Sequence, residues 1–252
     1  MNAQPYLRAL LIALVPACLG GCLEVDQEIE LDSDGSLIAK LKYAAPESTI
    51  RHLQLMADLT ETLHGLDPQT NHPAASHSTS VLGPQLFDFE YVQKHVESSK
   101  GPGLRISALD HNKKESWNSI EIKGAFDDLG HLRKLDHFAG QNMSLTKLEN
   151  GNYELVIRIS EEGDYEIPTL RVGTEEFRTI MSIFSGFRVS IKVRVPGRIV
   201  AASTFRKTDR SATWSYDIKR NPNALRELHE PLRVEFMGTG LALLEFPAKS
   251  GS

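Results

Sequence analysis

The chain has 252 residues, 40% hydrophobic and 24% charged, with a formal net charge of −5. That is the composition of a folded globular protein, and it excludes a disordered or low-complexity chain. The charge is uneven: residues 22–170 hold 13 Lys and Arg against 25 Asp and Glu, a net of −12, whereas residues 171–252 hold 14 against 8, a net of +6. Such asymmetry marks either a face for an anionic partner or two well-solvated surfaces. No nucleic-acid partner is expected.

The N-terminus is a short polar stretch with one cation, Arg8, followed by an apolar run of nine residues from Ala9 to Ala17. A spanning helix needs about 20, so this run is too short to cross a bilayer. A cationic start, a short apolar core and small residues at the exit are the layout of a secretory signal. The exit, Leu19-Gly20-Gly21-Cys22, resembles the lipobox of bacterial lipoproteins. The resemblance implies cleavage after Gly21 and acylation of Cys22, which anchors the mature chain in a membrane. Glycines present a thin backbone to a peptidase, and the thiol is the nucleophile that can form a thioether. Cys18 is the second of the chain's two cysteines, so the mature chain holds neither a free thiol nor a disulfide. Its 231 residues (252 minus 21) must be stable by core packing, which this length allows. Leu23, not Asp, follows the cysteine; in well-studied two-membrane bacteria this favours the outer membrane.

Leu23 to Leu31 alternates, with Leu23, Val25, Ile29 and Leu31 on one face and Glu24, Asp26, Glu28 and Glu30 on the other, which predicts a strand with one wet side. Asp32-Ser33-Asp34-Gly35 is turn chemistry. Ser36 to Tyr43 alternates again with Lys40 and Lys42 outward, so the two segments form a hairpin with acid opposite base. Pro46 opens a helix through Ile50, Leu53 and Leu63, stopped at Gly65. Residues 66–84 form a loop. Phe89, Val92 and Val96 mark a second helix, Leu104–Leu109 and Trp117–Phe126 a strand pair, and Asp127 caps a short helix through Leu135. Glu149-Asn150-Gly151-Asn152 joins a hairpin of Leu145–Leu148 and Tyr153–Ile159. A helix over Glu175–Phe184 precedes a strictly alternating strand, Phe187–Val195. After the Pro196-Gly197 turn, Ile199–Phe205 and Ala212–Ile218 continue the sheet. Pro222–His229 is a short helix and Leu232–Phe236 a strand. The class is α+β: antiparallel sheet segments interleaved with short helices, beginning with an N-terminal hairpin. Residues 1–21 are the signal and 22–252 the envelope domain, with a subdivision near 165–175 conceivable on length.

Val193-Arg194-Val195-Pro196-Gly197-Arg198-Ile199-Val200, followed by Ala212-Thr213-Trp214-Ser215-Tyr216-Asp217, resembles a recurrent pattern in bacterial envelope lipoproteins, including the mycobacterial LppM-like family. The pattern follows an N-terminal hairpin with an Asp-Gly turn, matched here by Asp34-Gly35. The chain departs from it in lacking a C-terminal membrane helix. The resemblance implies an α+β envelope domain with a lipid-binding role.

No catalytic motif emerges. None of the nine histidines has a helical i, i+4 partner; His64, His72 and His77 are loop residues, His131 and His137 flank a short helix, and His229-Glu230 runs into Pro231. No metal and no cofactor is expected. Asp32-x-Asp34-Gly35 begins like a calcium loop, but its twelfth position is Tyr43 rather than Glu. Gly238-Thr239-Gly240 is followed by Leu243 where a dinucleotide fingerprint needs glycine. Trp117 and Trp214 sit in strands and are core candidates. Arg188, Lys192 and Arg194 share the wet face of one strand; Arg198 follows the Pro-Gly turn; Arg206, Lys207 and Arg210 cluster at the next turn. Together these form a candidate contact for anionic lipid or an acidic envelope polymer. The expected function is that of a non-enzymatic, membrane-anchored envelope lipoprotein that binds an envelope component or protein partner. The alternatives are a lipid carrier with an apolar cavity and an anchored hydrolase with a dispersed site.

Overall fold

The computed structural model describes residues 22–55, 84–132, 135, 143–159, 186–221, 223–241 and 243–245. The signal segment, the helix stop at Gly65, the 66–83 loop, the 175–184 helix and the 165–175 boundary lie outside the described residues.

The fold is α+β, built on two sheets. β1 (Cys22–Leu31) and β2 (Leu37–Pro46) form the N-terminal hairpin. Alternation dictates it: one face of each strand is apolar and buried, the other charged. The turn closes through the Asp32 N–H to the Ser36 carbonyl at 2.8 Å, with Gly35 at φ 89°. Strand β2 runs to Pro46, and helix α1 follows at residues 47–55. After a 3-10 turn at Pro84–Phe87 comes α2 (Phe89–Ser98), capped by the Asp88 carboxylate, which accepts from the Glu90 and Tyr91 N–H groups. Val92 and Val96, one helical turn apart, are its buried stripe.

β3 (Leu104–Lys114) and β4 (Trp117–Phe126) extend the sheet. The short helix α3 (Leu129–Leu132) is capped by Asp128 rather than Asp127: the His131 N–H donates to the Asp128 side chain at 2.9 Å. Asp127 instead faces Arg105 at 3.6 Å. β7 (Gly186–Arg194) pairs parallel with β1 and antiparallel with β9 (Ser211–Asp217). The six-stranded order is therefore β3-β4-β2-β1-β7-β9, with the first strand of the described chain in the middle.

The second sheet, β5-β6-β10-β8, comprises β5 (Met143–Lys147), β6 (Tyr153–Ile157), β10 (Leu232–Phe236) and β8 (Ile199–Ala202). Here one sequence expectation fails. Residues 199–205 do not continue the sheet of β7; only Ile199–Ala202 is a strand, and it pairs with β10. Backbone bonds from Val195 N–H to Arg210 O (2.9 Å) and Ile199 N–H to Asp209 O (2.6 Å) close the excursion before the chain returns as β9. The β5–β6 hairpin is as expected, with Gly151 at φ 81°. The Asn152 and Asn150 amides both donate to Glu235, which holds that carboxyl below the usual range. Helix α4 (Ala224–Glu227) links β9 to β10.

The inner faces of both sheets join one buried cluster, with Tyr43, Phe126, Tyr153 and Phe236 its bulkiest members. Burying such a side chain contributes about 1.5–3 kcal/mol, so this cluster dominates stability. Gln27 interrupts it. It lies 4% exposed in the apolar row of β1, opposite Leu41 and Ile191.

Two glycines with positive φ separate backbone strain from crowding. Gly35 has open space around its α-carbon; at Gly103, φ 81°, an added Cβ would lie 2.3 Å from the His131 ring. Gly35→Ala is expected to cost about 1–2 kcal/mol of left-handed strain, and Gly103→Ala to add about 1–3 kcal/mol of overpacking. Urea midpoints of the two variants check the order; equal losses would show that the His131 packing is unimportant.

Candidate functional site

Cys22 occupies a defined place. Cys22 is the first residue of β1 and is paired with Gly186 in the ladder, and Leu23 beside it is already buried. No described tether separates Cys22 from the sheet. By register, the same end of the sheet carries Pro46 and Trp117 on β2 and β4, Lys114 on β3 and Asp217 on β9. The opposite end carries Leu31, Leu37, Phe126, Arg194 and Ser211.

The wet face of this sheet is a ladder of opposite charges. The acids of β1 stand between the bases of β2 and β7. Glu24 meets Arg188 at 3.2 Å, Glu28 meets Lys192 at 3.3 Å and Glu30 meets Arg194 at 3.2 Å. On the other side Glu28 and Asp26 oppose Lys40 and Lys42, and Lys40 continues to Glu121 at 2.9 Å. The Glu121 carboxylate, with smaller pulls from Glu28 and Asp26, raises the Lys40 ammonium above its ordinary value.

The seven candidate cations therefore fall into two groups. Arg188, Lys192 and Arg194 do share one face, each bound to a glutamate of β1, and Arg188 also reaches Asp217 at 3.8 Å. Arg198, Arg206, Lys207 and Arg210 lie on the 195–210 excursion at the end of the sheet far from Cys22. There the Lys207 ammonium donates to the Val200 carbonyl at 3.2 Å, and Phe205 is fully exposed. An open groove of about 740 Å³ joins the groups, lined by Lys192, Arg194, Arg210, Thr208, Asp209 and Ser211.

A second recess, about 310 Å³, lies beside α1 and the Cys22 end, lined chiefly by Glu47, Arg51, Gln54, Lys113 and Asn118. Beneath it the Asn118 amide bridges the His111 ring (2.8 Å) and the Phe87 carbonyl (3.3 Å), and Phe89 stacks on His111 at 5.0 Å. This is a tie between α2 and the β3–β4 hairpin. The groove beside Lys192 and Arg194 has a charged and polar lining, whereas Ile50 and Phe87 add apolar surface to the recess beside α1.

Among the described residues no group of three His, Cys, Asp or Glu is placed to hold a metal. His131 packs on Asp128 at 3.0 Å, and His229 is exposed beside α4. Burial alone would raise the Asp128 carboxyl, but donors from His131 and Gly130 hold it below the ordinary range. His64, His72, His77 and His137 lie outside the described residues, as do Leu19, Gly20 and Gly21. Trp214 is core, its indole N–H donating to Ser203 at 3.2 Å; Trp117 is half-buried at the sheet end. Sequence reading missed the buried Gln27, because an amide in an otherwise apolar row leaves the alternation intact.

These features define an α+β two-sheet protein with a charge-laddered face and its first strand at the centre. No family model and no curated protein sequence matches the chain. Among solved structures, it is similar to the folded domain of the Mycobacterium tuberculosis LppM protein, determined by NMR. The two are 14% identical with a TM-score of 0.40, over 85% of this chain and 89% of that one. A likeness that distant is one of outline only. No helix of the described residues is long and apolar enough to cross a membrane.

The ladder yields a double-mutant test. Lys192→Glu puts like charges at Glu28 and is expected to cost about 0.5–1 kcal/mol at low salt, as exposed pairs do. Adding Glu28→Lys should recover only part of it, because the new lysine stands opposite Lys40, and high salt should shrink both effects. Chemical denaturation of the four proteins measures the coupling; an additive cycle would show that the pair is idle.

Proposed function

We propose that this chain is a lipid-anchored protein of the bacterial cell envelope, cleaved after Gly21 and acylated on Cys22, whose folded part binds an envelope component or protein partner and performs no chemistry of its own. One observation carries the reading: the cysteine of the Leu19-Gly20-Gly21-Cys22 exit is also the first residue of the central strand. Cleavage before Cys22 removes none of the described elements, and acylation there places lipid directly on the sheet. A single acyl chain holds a protein only marginally, so stable anchoring needs at least two, as a diacyl thioether supplies.

A binding role fits the described surface better than a hydrolase does. The carboxylates of the central sheet are spent on paired bases across an open face, whereas general acid–base work needs groups converging on a cleft with displaced pKa values. The basic 195–210 excursion, with Phe205 exposed beside Arg206 and Lys207, is the segment we assign to an acidic partner.

Cys22→Ala is expected to stop maturation: the precursor should keep residues 1–21 and fail to float with membranes in a density gradient. Intact mass of the membrane fraction decides. A Cys22→Ala chain that is still cleaved, acylated and membrane-bound would remove the basis of the reading.

A further inference from the structure

We infer that acylation of Cys22 stands the six-stranded sheet on end at the bilayer, with the rim around Cys22 against anionic headgroups and the 32–36 turn and 195–210 excursion pointing away. The inference rests on the proposed acylation.

No described tether separates Cys22 from the sheet. A flexible linker of n residues gives a reach of about 5–6 Å × √n, and a domain on such a leash tumbles. Here Cys22 is itself in the ladder with Gly186, and Leu23 is already core. The acyl chains must enter the membrane within one residue of the sheet. Strands lie about 4.8 Å apart, so the rim runs about 14 Å from Cys22 to Lys114 on β3 and about 10 Å to the end of β9. The anchor therefore sits near the middle of the rim and loads it evenly.

The rim itself carries groups suited to headgroups. Lys113, Lys114, Lys219 and Arg220 are exposed there, and Trp117 is half-buried between Pro46 and Lys114. Each cation near an anionic surface contributes about 1 kcal/mol, and tryptophan favours the headgroup level. Glu47 and Glu115 are exposed on the same rim and oppose this attraction, and Asp217 binds Arg220 at 3.5 Å.

The competing pose lays the charged face flat on the membrane. That face offers no net attraction, because its acids and bases are interleaved and bound to one another. Its largest unshared cation group, on the 195–210 excursion, begins beyond Arg194, eight residues along the strand from the Cys22 level. At about 3.3 Å per residue that is about 27 Å, more than three Debye lengths at physiological salt. In the upright pose those cations do not feel the anchoring membrane and stay available to a partner.

The mature chain offers a clean probe, since Cys18 leaves with the signal and Cys22 is consumed by lipid. Single cysteines at Lys114→Cys, Lys219→Cys, Ser215→Cys and Ser33→Cys, in full-length protein matured in cells, carry one fluorophore each. The proteins are placed in phosphatidylglycerol-containing vesicles bearing a headgroup quencher. Quenching is expected to be several-fold stronger at 114 and 219 than at 33, with 215, midway up the open face, in between. Equal quenching at 215 and 114 would establish the flat pose, and equal quenching at all four sites a tumbling domain; either overturns the inference. Mass and flotation of the same samples report acylation separately, so an unacylated chain sinks the anchor reading and an anchored chain without a gradient sinks only the orientation. A long Gly/Ser insert between Cys22 and Leu23 should keep flotation and flatten the gradient. A gradient that survives the insert would show that the absent tether does not set the pose.

Discussion

The parallel pairing of β1 with β7 is the contact on which the rest of the molecule depends. It joins residues 164 positions apart, Glu24 with Arg188, and makes the first strand the centre of the larger sheet. Closing so long a loop costs about 4–5 kcal/mol of chain entropy beyond a constant. The wet-face ion pairs cannot offset that, at about 0.2–1 kcal/mol each. The inner face can: Leu23, Val25 and Ile29 stand opposite Phe187, Val189 and Val193, all buried, and Leu31 and Ile191 are buried in the same rows, at about 1.5–3 kcal/mol a side chain. Packing therefore holds β1 in place, and charge selects its neighbours. Like charges directly opposite are destabilising. A strand whose outward residues are all acidic is thus best flanked by two basic ones, as β2 and β7 flank it.

That division of labour explains what was legible in the sequence. Alternation reveals which face of a strand is wet, because side chains change sides with every residue. It marked β1, β2 and β7. Alternation does not reveal neighbours. The lysines of β2 were legible as partners of the β1 acids because a short turn joins the two strands. The equally basic β7 was not, since nothing local ties residue 188 to residue 24. The cations of β7 therefore read as a candidate contact for an anionic surface, and in the fold they stand beside Glu24, Glu28 and Glu30. The same limit misplaced β8. Its four residues alternate too briefly to signal a sheet, and the backbone bonds that send the chain away, Val195 to Arg210 and Ile199 to Asp209, leave no mark on hydrophobicity. With Asp127 and Asp128 adjacent and chemically alike, only geometry could show which one caps α3.

The charge asymmetry between the two parts of the chain has a structural use that composition alone could not reveal. Four of the acids lie on β1 and three of the later bases on β7, so part of the imbalance is met inside one sheet. Charges left outside that ladder gather at its two ends. Lys113, Lys114, Lys219 and Arg220 lie at the Cys22 rim, and Arg198, Arg206, Lys207 and Arg210 at the far end. Acids stand beside them, Glu47, Glu115 and Asp217 at the rim and Asp32, Asp34 and Asp209 at the far end, so each end carries charges of both signs.

The position of β1 also decides how the fold would bear the proposed anchor. A lipid joined to an edge strand would pull on one ladder, whose hydrogen bonds could open one after another. A lipid on Cys22 pulls along a central strand held by β2 on one side and β7 on the other. Sliding that strand by one residue would break both ladders together and turn Leu23, Val25, Ile29 and Leu31 towards water. Any load carried through Cys22 is thus resisted by the same buried side chains that close the 164-residue loop. Under the proposed acylation, the strand that carries the anchor is one held in the ladder on both sides, so a chain that lost its packing around β1 would also lose its fixed relation to the bilayer.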